Sequence, residues 1–473
     1  ATDGNGNLWL FFHYRTNTPV VSGRKRFRTL WRLGATSFQN GSWIPAVEFP
    51  GAYGRMDFPL TAYASRDGGI EVFWTSDGRQ FPSGFQQDQD IFRASLRTGP
   101  ASNREPEWVA FRPSTETAAE VHPNEAADVA RVRAQRVQVG GKTYRPVRGD
   151  MHRHTDISWD GNRDGSLLDA YRYALDAAGH DFLGVADHQA GQEVEYSWWM
   201  IQKAVDLFTI PGKFTPLYGY ERSRPYPSGH RNAMFAQRGV RVLNLTEDEY
   251  TKNDETGIES FYENLRENRG IVMSHTSATG AGTDWRDHDP EVETLMEIYQ
   301  GYRRSYEHAG APRSGKGGGR PEGFVWRAWE KGLKLGLQSS SDHVSTHVSH
   351  GVIYVEELTR EAILEGIRTR RAYAATDNIY VEFRLNGHFM GEAFETDTRP
   401  RIEVKIIGTG PIRKVELIKN NTYIHTQRGA GTELSFTYVD NDASAGESYY
   451  YIRVEQEDGE LAWASPIWVT YMK

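Results

Sequence analysis

Between residues 145 and 376, five short apolar runs each finish in polar residues: FLGVADH, FTPLYGYE, GIVMSH, LMEIYQG and GLQSSSDH. Amphipathic segments at 167–178, 260–268 and 360–369 alternate with them. Buried strands interleaved with helices define an α/β layer structure. In a barrel of parallel strands the chemistry gathers where the strands end, and here that end is polar every time. Eleven of the 15 histidines lie between residues 150 and 350, so the same span concentrates the metal-type ligands.

The flanking regions follow a different period. Residues 1–111 alternate aromatic and β-branched runs with Gly, Asn and Asp turns, which predicts an all-β domain. Its two similar pieces, DGNGNLW (3–9) and RDGGIEVFW (66–74), start strands about 64 residues apart. They suggest propeller blades, possessing too few copies to close a ring, with a small sandwich of two similar hairpins as the other reading. Residues 112–144 shift to Pro, Thr, Ala, Glu and Arg and read as a linker with one helix at 124–136. Gly140-Gly-Lys-Thr143 imitates the end of a phosphate loop, but Arg136 stands where its first glycine belongs. Residues 377–473 return to short alternating strands at the spacing of a β-sandwich. The expected architecture is therefore α/β plus all-β, with residues 145–376 as the α/β domain.

Composition removes several functions. The net charge of −8 argues against broad nucleic-acid or acidic-membrane binding. No stretch reaches the roughly 18 apolar residues of a membrane helix, and the first 20 residues lack the order of a signal peptide. With no cysteine in 473 residues, disulfides, thiolate metal sites and cysteine nucleophiles are excluded. No G-x-S-x-G elbow and no H-E-x-x-H occurs.

A metal on this chain must use His, Asp and Glu. His152-Arg-His154 closes a predicted strand, and side chains two apart on a strand point the same way, so both imidazoles can reach one ion. Asp160, His188, Glu221, His230, His275, Asp342 and His343 occupy the other strand ends or the loops that follow them. Asp187 is placed to orient the ring of His188. So many imidazoles and carboxylates on one rim would repel or stay desolvated unless cations paired them. All-N/O ligation with several carboxylates suits Mn, Fe or Zn.

The strings GDMHRHTDISWDG, VADH, GYE, GHRNAMF, MSHT and SSSDH, within residues 149–347, resemble the signature of the polymerase and histidinol phosphatase (PHP) superfamily. GHRNAMF, SSSDHVSTHVSH and RRAYAATDNIYVEFRLNGHFMG are similar to an uncharacterised, often exported bacterial PHP-like family. The resemblance implies a distorted seven-stranded β/α barrel with two or three divalent metals at its C-terminal rim. It implies one metal on His152, His154, Glu221 and Asp342, with Glu221 bridging to a second on His230 and His275. A third would use Asp160, His188 and a last histidine. The chain departs from the signature twice. Ser158-Trp-Asp160 carries an extra residue, and His343 directly follows Asp342 where the family spaces them by one, so His343 and His347 both stand as the last ligand.

The expected function is a metal-dependent hydrolase, foremost a phosphoesterase, because paired ions activate water and clamp the oxygens of an in-line displacement at phosphorus. An amidohydrolase-like ester or amide hydrolase is the alternative, although no lysine stands at the named strand ends to bridge metals. A carbohydrate-active hydrolase or lyase with aromatic β modules is another. Arg222 and Arg231, each following a ligand, are expected to grip the anionic part of a small anionic or sugar-linked substrate. Arg313-Ser-Gly-Lys-Gly-Gly-Gly-Arg320 reads as a flexible insertion or a basic lid. Oligomeric state stays open, and export to the periplasm or exterior is favoured for localisation.

Overall fold

The computed structural model describes residues 1–19, 27–54, 60–76, 90–101, 104–112, 122–158, 160–161, 164–189, 195–245, 256–315 and 319–473. Contacts divide the chain into one unit of residues 1–123, 155–169 and 190–199 and another of 124–154, 170–189 and 200–473.

In the first unit, β1 (Leu8–Pro19), β2 (Phe27–Gln39), β3 (Ser42–Trp43) and β4 (Val47–Gly54) form one antiparallel sheet. A second sheet contains β5 (Leu60–Ala64), β6 (Ile70–Ser76) and β7 (Asp90–Leu96). Trp9, Leu33, Ala35, Phe49, Ile70, Val72 and Trp74 share one core, with the Phe49 and Trp74 rings 5.1 Å apart. The two similar turns meet directly. Asp3 accepts the Asn5 and Asn7 amides and the Trp9 indole N–H, while the Gly4 amide donates to the Gly68 carbonyl at 3.1 Å.

The second unit opens with α1 (Glu125–Ala134), inside the helix expected at 124–136. Residues 137–144, expected to be linker, are instead a hairpin of β8 (Val137–Val139) and the start of β9 (Lys142–Arg153). Its two-residue turn is Gly140-Gly141, at φ +56 and +79. Two consecutive positive φ values define the turn that matches strand twist, and glycine adopts them without steric cost. The misleading GGKT string is thus a hairpin turn.

β9 pairs in parallel with β10 (Phe182–Val185). In another sheet, β11 (Tyr218–Ser223), β12 (His230–Phe235) and β13 (Ile271–Ser274) run antiparallel in turn. β14 (Leu295–Gln300) lies parallel to β13 and to β16 (Gly336–Ser340), while β15 (Arg304–Ser305) folds back on β14. Isolated bridges join the two sheets: Gly184 to Leu217, His188 to Glu221, and Arg153 to Asp342. The helices that fall between or after these strands in the chain are α2 (Leu167–Arg172), α3 (Glu195–Phe208), α4 (Thr256–Glu267), α5 (Val325–Glu330) and α6 (Arg360–Arg368). The sequence patterns gave α2, α4 and α6 but not α3 or α5.

The expected boundary at residue 376 cuts through a continuous sheet. β17 (His350–Val355) lies antiparallel to both β9 and β18 (Ala372–Ala375). Val352 and Tyr354 on β17 join the core of the C-terminal region, while Ile353 and Val355 join the core beneath the metal-type residues. Strand alternation puts one strand's side chains into two cores.

The sheet continues through β27 (Leu461–Ala464), β26 (Gly446–Gln456), β23 (Ile412–Lys419) and β24 (Thr422–Arg428). β28 (Ile467–Tyr471) pairs with β26 and with β21 (Ala393–Thr396). A separate sheet of β19 (Tyr380–Leu385), β20 (His388–Phe389), β22 (Arg401–Ile407) and β25 (Glu433–Val439) contributes Tyr380, Phe383, Ile402 and Ile406 to the same core as Val415, Ile452 and Val469. Among the described residues, no helix is long and apolar enough to cross a membrane.

A buried charge pins the C-terminal strands to the loop after β15. Glu307 accepts from Arg453 Nη1 (2.6 Å), Tyr451 Oη (2.6 Å) and Trp463 Nε1 (3.0 Å). Removing one partner of a buried ion pair strands the other charge. Arg453→Met is therefore expected to destabilise this unit by about 3–5 kcal/mol, checked by the denaturant midpoint; a change under about 1 kcal/mol would mean the pair behaves like an exposed one.

Candidate metal centre

The rim is built by strands that deliver ionisable residues to one end. β9 carries His152 just before its last residue and leads to His154, β10 leads to His188, β13 to His275, and β16 to Asp342. β11 carries Glu221 near its end. β12 is antiparallel, and His230 is its first residue, opposite Ser223, so it enters the rim rather than leaving it. Ligand delivery here does not need every strand to be parallel.

The β9–β16 junction is tied tightly. The Asp342 amide donates to the His152 carbonyl at 2.7 Å, and Arg153 Nη1 donates to the Asp342 and Val344 carbonyls at 3.0 and 2.6 Å. Asp342 itself has φ +62, in the left-handed region that non-glycine residues rarely occupy and that often marks functional sites.

Glu221 is the hub. Its Oε2 lies 3.3 Å from His152 Nε2, 3.3 Å from His154 Nε2 and 3.5 Å from His275 Nε2. Its Oε1 lies 2.5 Å from His230 Nδ1 and 3.2 Å from His188 Nδ1. Asp342 Oδ1 completes the first side, 3.2 Å from His154 Nε2 and 3.6 Å from His152 Nε2. The two carboxylate oxygens thus face different imidazole sets, which is how a carboxylate bridges two ions. His275 falls with His152 and His154, not with His230 as the family pattern groups it.

Metal ions fit this donor set. The His152 and His154 Nε2 atoms face each other at 3.3 Å, an arrangement that needs either a proton or a shared cation between two lone pairs. Glu221 Oε2 and His275 Nε2 are buried with no hydrogen-bond partner. Ligand atoms of His152, His154 and Glu221 lie within 4.8 Å of one another, as do those of His188, Glu221 and His230, of His154, Asp342 and His343, and of His152, His275 and Glu297.

The electrostatics agree. Burial alone would push the Glu221 carboxyl up, but His188, His275 and His230 outweigh it and hold it well below the usual range. Burial likewise opposes ionisation of Asp342, and His152 and His154 overcome it. Burial would lower the His152 imidazole, yet Glu297 and Asp342 raise it to about 10. Two buried carboxylates thus stay anionic and draw positive charge inward, a demand that a divalent cation satisfies.

The remaining expected residues are placed as follows. Asp187 is buried, and its carbonyl accepts the Glu221 amide at 2.9 Å. His343 joins the centre, with Nε2 3.2 Å from Asp342 Oδ1 and its ring stacked on His154 at 4.4 Å. His347 turns instead to Glu125 of α1, with Nε2 2.5 Å from Oε1. Asp160 accepts from Ser158 Oγ at 2.8 Å.

Neither expected arginine faces the centre. Arg222 lies across the Phe261 ring at 4.9 Å and reaches the carbonyls of Leu243 and Gly257. Arg231 donates to the Ser228 and Asp287 carbonyls at 2.7 and 2.9 Å and pairs with Glu293 at 3.4 Å. Strand alternation explains both, because each directly follows a residue that points inward. The substrate-gripping role is replaced by anchorage of the strands. In the glycine-rich insertion, Arg313 pairs with Glu460 at 2.7 Å and Arg320 lies over the Tyr226 ring at 4.2 Å. Lys316 lies outside the described residues.

Sequence reasoning missed the groups that orient the ligands. Glu297 on β14 accepts from His152 Nδ1 at 2.9 Å, from Gln300 Nε2 at 2.9 Å and from Ser340 Oγ. An Nδ1–H bound to a carboxylate leaves Nε2 free to face a metal. Asp150 accepts the His152 amide at 3.0 Å and Thr346 Oγ1 at 2.6 Å. The available signal was a lone glutamate inside the apolar run LMEIYQG. An open cavity of about 740 Å³ lies elsewhere, lined by Thr143 and Arg145 at the start of β9 and by Glu356 just after β17.

No family model matches the chain. An uncharacterized protein of Chlamydia pneumoniae is 25% identical over 309 residues, covering 58% of this chain and 49% of that protein. One of Chlamydia trachomatis is 28% identical over 234 residues, covering 42% and 38%. The chain therefore spans about half or less of the length of these curated relatives. Among solved structures, a two-domain protein from Bacteroides vulgatus containing a predicted PHP-like metal-dependent phosphoesterase is similar over 70% of this chain and 97% of that one. Its sequence identity is 14% and its TM-score 0.34.

Two outcomes test the supporting shell. Glu297→Gln is expected to weaken metal binding about 10–100-fold, read by titration of metal-stripped protein; unchanged affinity would remove Glu297 from the orienting role. Glu293 is held down to about 2, because Arg231 outweighs the upward push of burial. Its unfolded value is near 4.3. The resulting stabilisation of roughly 3 kcal/mol is present above about pH 4.3 and is lost as pH falls toward 2. Denaturant midpoints should therefore show Glu293→Gln well below the parent protein at pH 7, with the gap closing as pH approaches 2.

Proposed function

We propose that the chain is a metal-dependent phosphoesterase built on a seven-stranded β/α barrel, closed by β9, β10, β11, β12, β13, β14 and β16 through the isolated bridges described above. One observation carries the reading: a single buried carboxylate, Glu221, presents its two oxygens to two separate sets of imidazoles. His152, His154, His275 and Asp342 would hold one ion beside Glu221, and His188 and His230 the other. Bound divalent ions there supply Lewis acidity, making water nucleophilic near neutral pH and neutralising charge on a transferring phosphoryl group.

The chain's own residues prepare that chemistry. Glu297 holds the Nδ1 proton of His152, Asp150 fixes the backbone beneath it, and burial of Glu221 and Asp342 keeps bulk water from screening their charge. Mn, Zn and Fe all suit the donor set. A carboxylate in the bridging position favours this reading over an amidohydrolase centre bridged by a modified lysine.

Gently purified protein is expected to contain at least about two divalent ions per chain and to hydrolyse a phosphomonoester or phosphodiester in preference to a carboxylester. Chelation should abolish that turnover and metal should restore it, while Glu221→Gln should lower turnover by about 100-fold or more together with metal content. Absence of bound metal, or preference for the carboxylester, would overturn the reading.

A further inference from the structure

The arginines that follow Glu221 and His230 spend their guanidinia on backbone carbonyls, on Glu293 and on an aromatic ring, behind the strands. Arg303 does the opposite. It lies in the tight turn between β14 and β15, is 43% exposed, and places Nε 3.9 Å from Asp342 Oδ2, on the outer side of the carboxylate whose Oδ1 faces His154. Its guanidinium rests 5.6 Å over the ring of Tyr302 and makes no hydrogen bond to another described residue. Tyr302 is itself 53% exposed and stands edge-on to the His343 ring at 5.2 Å.

The turn is held in this position by its backbone. The Gly301 amide donates to the Ser340 carbonyl at 2.8 Å, and the Tyr302 amide to the Ser341 carbonyl at 3.2 Å. These bonds tie the turn to the segment that leads into Asp342. A Cβ on residue 301 would fall 2.6 Å from a Val348 methyl carbon and 3.1 Å from one of Val344, so the close approach needs glycine there. Arg304 completes the reversal at φ +125, a conformation outside the ordinary range for a side-chain-bearing residue. The turn thus holds one partly exposed arginine beside a centre rich in carboxylate and imidazole.

A guanidinium left with unused donors beside such a centre can grip an oxyanion, because its planar fork matches two oxygens of a carboxylate or a phosphate; the proposed phosphoester chemistry selects the tetrahedral one. Asp342 does not satisfy it, since 3.9 Å exceeds hydrogen-bond reach. We propose that Arg303 is the substrate-anion residue of this site, gripping the non-bridging oxygens of a terminal phosphoryl group, and that Tyr302 holds its guanidinium over the mouth. This rests on the phosphoesterase reading for its substrate class. The role expected of Arg222 and Arg231 passes to a residue in a turn, where alternation does not force the side chain away.

The test uses the full chain loaded with Mn²⁺ and titrated with inorganic phosphate by calorimetry, alongside hydrolysis of p-nitrophenyl phosphate. Arg303→Gln is expected to weaken phosphate binding about tenfold or more, to raise KM more than it lowers kcat, and to leave metal content and thermal midpoint unchanged. Arg303→Lys should recover part of the affinity, since charge returns without the fork. Phosphate affinity equal in parent and Arg303→Gln proteins, or no phosphate binding by the parent protein, overturns the proposal. Loss of metal from Arg303→Gln also overturns it, by showing that Arg303 serves Asp342 instead. Failure of the underlying function looks different: phosphate still binds through Arg303, but no phosphoester is hydrolysed. A parent protein that hydrolyses phosphoesters with an indifferent Arg303→Gln variant would leave the function standing and remove only Arg303.

Discussion

Everything on the rim answers to one buried charge. Glu221 is 1% exposed, and an isolated carboxylate in such a place costs several kcal/mol unless cations or protonated groups surround it. The compensation comes from five imidazoles that lie on and just after β9, after β10, on β12 and after β13, so no single element can stabilise the charge by itself. The fold must bring at least four strands to one point before Glu221 can ionise at low cost. That requirement makes the order of strands around the centre a consequence of electrostatics as well as of apolar packing.

A second layer of carboxylates holds those imidazoles still. Glu297 joins β14 to β9 through His152 and to β16 through Ser340, while Asp150 joins β9 to the segment after β16 through Ser341 and Thr346. Small hydroxyl residues in SSSDH fit this work, since each can donate to a buried carboxylate without displacing the strand. The Glu307–Arg453 pair plays a comparable part further from the rim, tying the loop after β15 to β26. Buried ions in this unit therefore specify which strands meet, at places where apolar contacts alone would accept several arrangements.

Much of this organisation was legible in the sequence. The apolar runs ending in polar residues marked β10, β11, β13, β14 and β16, and H-x-H marked the end of β9. Other features were hidden by ambiguous patterns. HGVIYV resembles any buried run, and its alternation between two cores appears only when both sheets are present. GHRNAMF carries its ligand at the wrong end for a parallel strand, because β12 is antiparallel. Glu297 escaped notice because it sits in the middle of LMEIYQG, where one charged residue in an apolar strand has no periodic signal. Whether His343 or His347 turned inward depended on the path of the loop after Asp342, which local pattern does not determine.

The arginines show why side-chain chemistry alone misplaces function. Arg222 and Arg231 have the right charge and the right neighbours in sequence, but regular strand geometry sends successive side chains to opposite faces. A residue adjacent to an inward ligand on a strand is thereby directed outward, and both guanidinia find carbonyls there. A turn imposes no such rule. Gly301 and Arg304 bend the chain sharply enough that Tyr302 and Arg303 stay exposed, tied to the same backbone that carries Asp342. In this rim the strands carry the groups that are fixed and desolvated, whereas the tight turn leaves Tyr302 and Arg303 partly exposed to water.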